Sequence, residues 1–75
     1  MSTIMDRTCA LRNWQEREFL SESVNKANRF LKAGDKESLK KLNERLILMY
    51  DGLSLEAQKI AVDLAKEIKE EMEKL

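Results

Sequence analysis

The chain contains no proline, and its only glycines are Gly34 and Gly52. Proline is the residue that breaks a helix interior, because it lacks an amide hydrogen and clashes with the preceding turn; glycine is the next most costly. Three long stretches therefore run without a breaker. Leu, Lys, Glu and Ala fill them, all good helix formers. Each stretch opens on a residue whose side chain caps a helix: Asn13, Asp35 and Ser54. Helices are expected near 14–33, 36–50 and 55–74.

Apolar spacing assigns each helix an inner face. Leu20, Val24, Ala27 and Leu31 recur four and three apart, with Phe19 and Phe30 widening the stripe. Leu39, Leu42, Leu46 and Met49 do the same in the second segment. In the third, Ile60, Leu64, Ile68 and Met72 form one row beside a row of Ala57, Ala61 and Ala65. Glu16, three residues after Asn13, fits a capping box. Gly34 fits the left-handed end of the first helix, and Gly52 the stop of the second. Connections this short make consecutive helices antiparallel neighbours. The expected fold is all-α: an antiparallel up-down-up three-helix bundle in a single 1–75 domain, or a helical hairpin completed by dimerising. Residues 1–12 read as a flexible arm or a short extra turn.

A chain of 75 residues supplies a small core, rarely worth more than about 3–5 kcal/mol of net stability. Covalent staples are excluded. Cys9 is the single cysteine and there is no histidine, so neither a disulfide nor a closed zinc site can form within the chain. Regular helices and association remain. No apolar run approaches the ~20 residues that span a bilayer, and the amino terminus has no basic-then-apolar export pattern. The expected compartment is a reducing cytoplasm, that of the host if the chain is phage-encoded.

Catalysis is not expected, and neither is a cofactor or a metal. Histidine is missing, Cys9 has no imidazole to activate it, and no glycine-rich loop cradles phosphate. Glu70, Glu71 and Glu73 fan around a helix instead of converging. Charge is neutral overall, with 14 basic and 14 acidic side chains, but it is unevenly spread. Lys26, Arg29, Lys32, Lys36, Lys40, Lys41 and Arg45 crowd the middle, while Glu67, Glu70, Glu71 and Glu73 crowd the end. Arg29, Lys32, Lys36 and Lys40 are candidates for contacts to phosphates or to an acidic partner. Direct nucleic-acid binding is disfavoured, because helices of these lengths around Gly34 do not suit a helix-turn-helix.

The segment Leu46-Ile47-Leu48-Met49-Tyr50 is apolar in every direction. Either it is sandwiched between the other helices or it meets another chain. Trp14, Phe19, Ile47, Leu48 and Tyr50 are the candidate partner-binding residues, since buried aromatic and aliphatic anchors dominate interface energetics.

The segment YDGLSLEAQKIAVDLAKEIKEEMEKL resembles the carboxyl-terminal helix of small Xre-type repressors of phages and mobile elements, through Leu53, Ser54, Glu56 and Gln58. The resemblance covers about a third of the chain and implies self-association for that helix. The preceding residues lack the alanine-containing first turn and the recognition helix of that family. The expected function is a small interaction protein, of phage or mobile-element origin, that binds and regulates or inhibits a cytoplasmic protein. Its alternatives are a DNA-associated transcription regulator and a structural homodimer.

Overall fold

A computed structural model of the chain describes residues 3–75. It is an all-α three-helix bundle. Helix α1 spans Trp14–Ala33, α2 Lys36–Met49 and α3 Leu55–Glu73. Each helix packs on both others, around one core. Among the described residues, no helix is long and apolar enough to cross a membrane.

The caps operate as the sequence predicts, with one exchange. Asn13 accepts from the amides of Gln15 and Glu16 at 2.9 and 3.3 Å. Glu16, however, does not return to cap its own helix. Its carboxylate crosses to the start of α3, accepting from the Ser54 amide at 2.7 Å and the Ser54 hydroxyl at 2.8 Å. Ser54 Oγ in turn accepts from the Ala57 amide at 3.3 Å. A cap expected to act locally therefore ties the first helix to the third.

Gly34 sits at φ 68° and completes a Schellman motif: its amide donates to the Leu31 carbonyl at 3.1 Å, and that of Asp35 to the Phe30 carbonyl at 2.9 Å. Asp35 then caps α2, accepting from the Ser38 amide and hydroxyl at 3.1 and 2.7 Å. These two bonds, the hydroxyl first, hold its carboxyl below the usual range. The second glycine closes its helical run by a different geometry. Helix α2 ends at Met49 by tightening into a 3-10 turn over Tyr50–Gly52, and Gly52 is not left-handed. A Cβ there would meet nothing within 4 Å.

The core also differs from the expected stripes. On α3 the buried face is Ala57, Ala61, Leu64 and Ile68, with Ile60 and Met72 at its edges. The alanines let the neighbouring helices approach closely, which pulls their row to the centre. On α2, Leu39, Leu42 and Leu46 are buried, but Met49 is 47% exposed.

Residues 3–11 form a docked strap. Of the segment 1–12, read as a flexible arm or a short extra turn, the first two residues lie outside the described residues; Thr8–Ala10 form a 3-10 turn. Ile4 and Leu11 are buried in the common core, and Ile4 enters between Val24 of α1 and Ile60 and Leu64 of α3. Asn28 grips the strap backbone at two points. Its Oδ1 accepts from the Ile4 amide at 2.8 Å and its Nδ2 donates to the Ile4 carbonyl at 3.0 Å. Asp6 accepts from the amide and hydroxyl of Thr8 and from Ser21 Oγ, and the Thr8 bonds hold its carboxyl below its usual range. Arg7 reaches α3, at 3.8 Å from Asp63 and 3.2 Å from Glu67. The groove between α1 and α3 is thus filled by the chain itself.

Candidate functional site: the groove between α2 and α3

Among the described residues, none covers the groove between α2 and α3 in this way. The apolar end of α2 is not sandwiched: Leu46 is buried, but Ile47 is 65% and Leu48 81% exposed. Four successive apolar residues cannot all face one core at 100° per residue, so the surplus must turn outward. On α3, Leu55 and Val62 add 81% and 49% exposed side chains. A shallow depression of 290 Å³ lies between the helices, lined by Leu46 and Ile47 of α2 and Ala61, Val62 and Ala65 of α3; a second, of 600 Å³, adjoins it over the first turns of α3 and shares Tyr50 and Val62 with it.

The floor of the site is held by the turn. Tyr50 is half-buried against the core. Its carbonyl accepts from the Leu53 amide at 3.1 Å and from Gln58 Nε2 at 3.1 Å, which fixes the end of α2 to the first turns of α3. Asn43 lies one turn before Ile47 on the same row of α2. Its Oδ1 is buried and, among the described residues, without a hydrogen-bond partner, but Asn43 lines neither depression. Asp51, Glu56, Lys59 and Asp63 edge the depressions, Asp63 being the carboxylate that faces Arg7.

The structure gathers some of the candidate residues and separates others. Ile47 and Tyr50 line the groove together, and Leu48 projects from the next row of α2. Trp14 is 64% exposed but edges a different depression with Asp6, Cys9 and Arg17. Phe19 is half-buried in a notch between α1 and α2, beside Leu42 and Arg45. Phe19 and Tyr50, expected to be exposed anchors, instead pack against the core, because each sits at the margin of its helix's inner stripe. Arg29, Lys32, Lys36 and Lys40 are all exposed, and none forms an ion pair among the described residues.

Leu55 and Val62 are the site residues that the sequence reading missed. The available signal was the row Leu55, Lys59, Val62, Lys66, Lys69, spaced four, three, four and three. An amphipathic reading assigns that row wholly to solvent, which hides two apolar residues among lysines. Cys9 is exposed and lies away from the groove, and among the described residues no three of His, Cys, Asp or Glu converge on a metal position. No protein-family model, curated protein or solved structure matches this chain.

Proposed function

We propose that the chain is a small non-catalytic interaction module that binds a cytoplasmic protein and regulates or inhibits it, by receiving a helix of that protein in the α2–α3 groove. One observation carries this reading. Of the two grooves that flank α3, the α1 side is filled by Ile4 of the strap, while the α2 side leaves Ile47, Leu55 and Val62 in water. An uncovered apolar groove between two helices is the setting in which helix-in-groove recognition works. The apolar anchors supply the affinity and the surrounding charges set register. Origin in a phage or mobile element rests on the likeness of residues 50–75 to Xre-type helices.

The test is a paired substitution. Ile47→Glu and Val62→Glu alter exposed positions, so the melting curve is expected to stay within a few degrees of the wild type. Both should abolish capture of a partner that the wild type retains from host extract and that rebinds when purified. Retention of that partner by both variants would remove the groove from the mechanism.

A second reading, a DNA-associated regulator, is favoured by the exposed Arg29, Lys32, Lys36 and Lys40 around the α1–α2 turn. It predicts a mobility shift that weakens steeply with salt, as phosphate contacts release counterions. Absence of any shift at low salt would dispose of it.

A further inference from the structure

We infer that the α2–α3 groove selects an acidic amphipathic helix, its apolar anchors seated at the Tyr50 end and its carboxylates lying over the opposite end. This rests on the docking reading above and adds the chemistry of the partner.

Two rows of positions run along the groove, all exposed except the half-buried Asn43. On α2 the row is Lys36, Lys40, Asn43 and Ile47; on α3 it is Leu55, Lys59, Val62, Lys66 and Lys69. Spacings of three and four keep each row on one strip of its helix. The helices are joined by a short turn and run antiparallel, so Ile47 and Val62 share a depression. Counting back from Ile47 and forward from Val62, Asn43 falls level with Lys66, Lys40 with Lys69 and Lys36 with Glu73. The groove is consequently polarised: apolar near the turn, with Lys66, Lys40 and Lys69 one to two turns further on and Lys36 facing Glu73 beyond them. Glu73 is the one acid continuing the α3 row at that end. Near the turn, Asp51, Glu56 and Asp63 oppose Lys59, and Asp63 already faces Arg7.

None of Lys36, Lys40, Lys66 and Lys69 makes an ion pair among the described residues. Like charges on one surface repel weakly in water, and carboxylates laid across them turn that repulsion into attraction and faster encounter. A second copy of the chain fits poorly. A two-fold axis that stacks the apolar end on itself brings Lys59 against its own equivalent and leaves the lysine ends unmatched. An axis near Val62 lays the apolar end of one copy on the lysines of the other. A second copy can satisfy the apolar end or the charged end, but not both. A nucleic acid would answer the lysines and leave the apolar depression empty.

Panning a displayed library of amphipathic helices, about 18 residues or five turns long, against the full chain tests this. The library carries random residues on the flanks of an apolar stripe. The same panning is run on Val62→Glu and on the quadruple variant Lys36→Glu, Lys40→Glu, Lys66→Glu, Lys69→Glu, all at exposed positions. The wild type is expected to enrich helices with apolar residues at one end and Asp or Glu over the following turns. These winners should bind about tenfold more tightly at low salt than their Gln-substituted versions, with the advantage shrinking at high salt. The quadruple variant should enrich Lys and Arg instead, and Val62→Glu should enrich nothing. Failure of any helix to enrich on the wild type, or equal enrichment on Val62→Glu, overturns the docking reading itself. Enrichment that depends on Val62 but shows no acidic bias, or no inversion on the quadruple variant, overturns the charge inference alone. Displacement of the winners by random-sequence duplex DNA at about 150 mM salt, where non-specific binding is weak, overturns it in favour of nucleic acid. Sedimentation as a dimer that Val62→Glu dissociates overturns it in favour of a second copy.

Discussion

Asn28 is the single side chain on which the strap's attachment most depends, and Asn28→Ala isolates its role. It removes the two bonds to the Ile4 backbone, at 2.8 and 3.0 Å. Each such bond contributes about 0.5–1.5 kcal/mol net, so about 1–3 kcal/mol is lost. Alanine is a better helix former than asparagine by roughly 0.6 kcal/mol, which offsets part of it. The expected net loss is therefore about 0.5–2.5 kcal/mol, a large share of the about 3–5 kcal/mol that a core this small supplies. The amides of residues 4–11 should exchange about two- to seventyfold faster, the factor that this energy corresponds to, whereas core amides of α3 such as Ile68, which open only on global unfolding, should speed up by no more than that factor. Asn28→Asp sharpens the point, because a carboxylate still accepts from the Ile4 amide but sets an oxygen against the Ile4 carbonyl. It should cost at least as much as alanine. Coupling is the third readout: Ile4→Ala should cost less in the Asn28→Ala background than alone, since both act through one docked segment. A stabilised Asn28→Ala with unchanged exchange at Ile4, or strict additivity with Ile4→Ala, would refute the strap as a bound element.

The other predictions concern the joins. Gly34→Ala should destabilise by about 1–2 kcal/mol, the cost of a Cβ in the left-handed region, whereas Gly52→Ala should be neutral or stabilise by up to about 1 kcal/mol through the unfolded chain; urea denaturation of the two variants must rank them in that order. Glu16→Ala should lose about 1–2 kcal/mol by freeing the Ser54 amide and hydroxyl, and Glu16→Gln should recover part of it. If Glu16 acted only in its own helix's cap, Ser54→Ala and Glu16→Ala would be additive. The carboxyls of Asp6 and Asp35 are held below 3.8 in the fold, so their contribution is fully present above about pH 4 and is lost as pH falls through the folded value. Asp6→Asn and Asp35→Asn should therefore be less stable than the wild type at neutral pH and should approach it in strong acid; a gap unchanged by pH would contradict those hydrogen bonds.

Local chemistry was legible without coordinates. The absence of proline, the three caps and the periodic leucines specify three helices, since propensity, capping and a period of 3.6 are properties of neighbouring residues. The bounds of α1 follow from Asn13 and Gly34 alone, and the run at Leu46–Tyr50 was visible as too apolar for one face, although whether it was sandwiched or turned outward was not. What lay beyond the sequence was every decision requiring residues far apart to meet. Ile4 becomes core because the bundle brings Asn28 beside its backbone and Val24, Ile60 and Leu64 beside its side chain. Glu16 caps the third helix only because the bundle brings Ser54 beside it. Trp14 and Phe19 part from Ile47 and Tyr50 because distance along the chain says nothing about which groove a side chain borders. Which of the grooves beside α3 stays open was likewise a tertiary outcome. The strap reaches only the α1 side, so the exposed apolar residues of α2 and α3, and the lysines beyond them, are left facing solvent together.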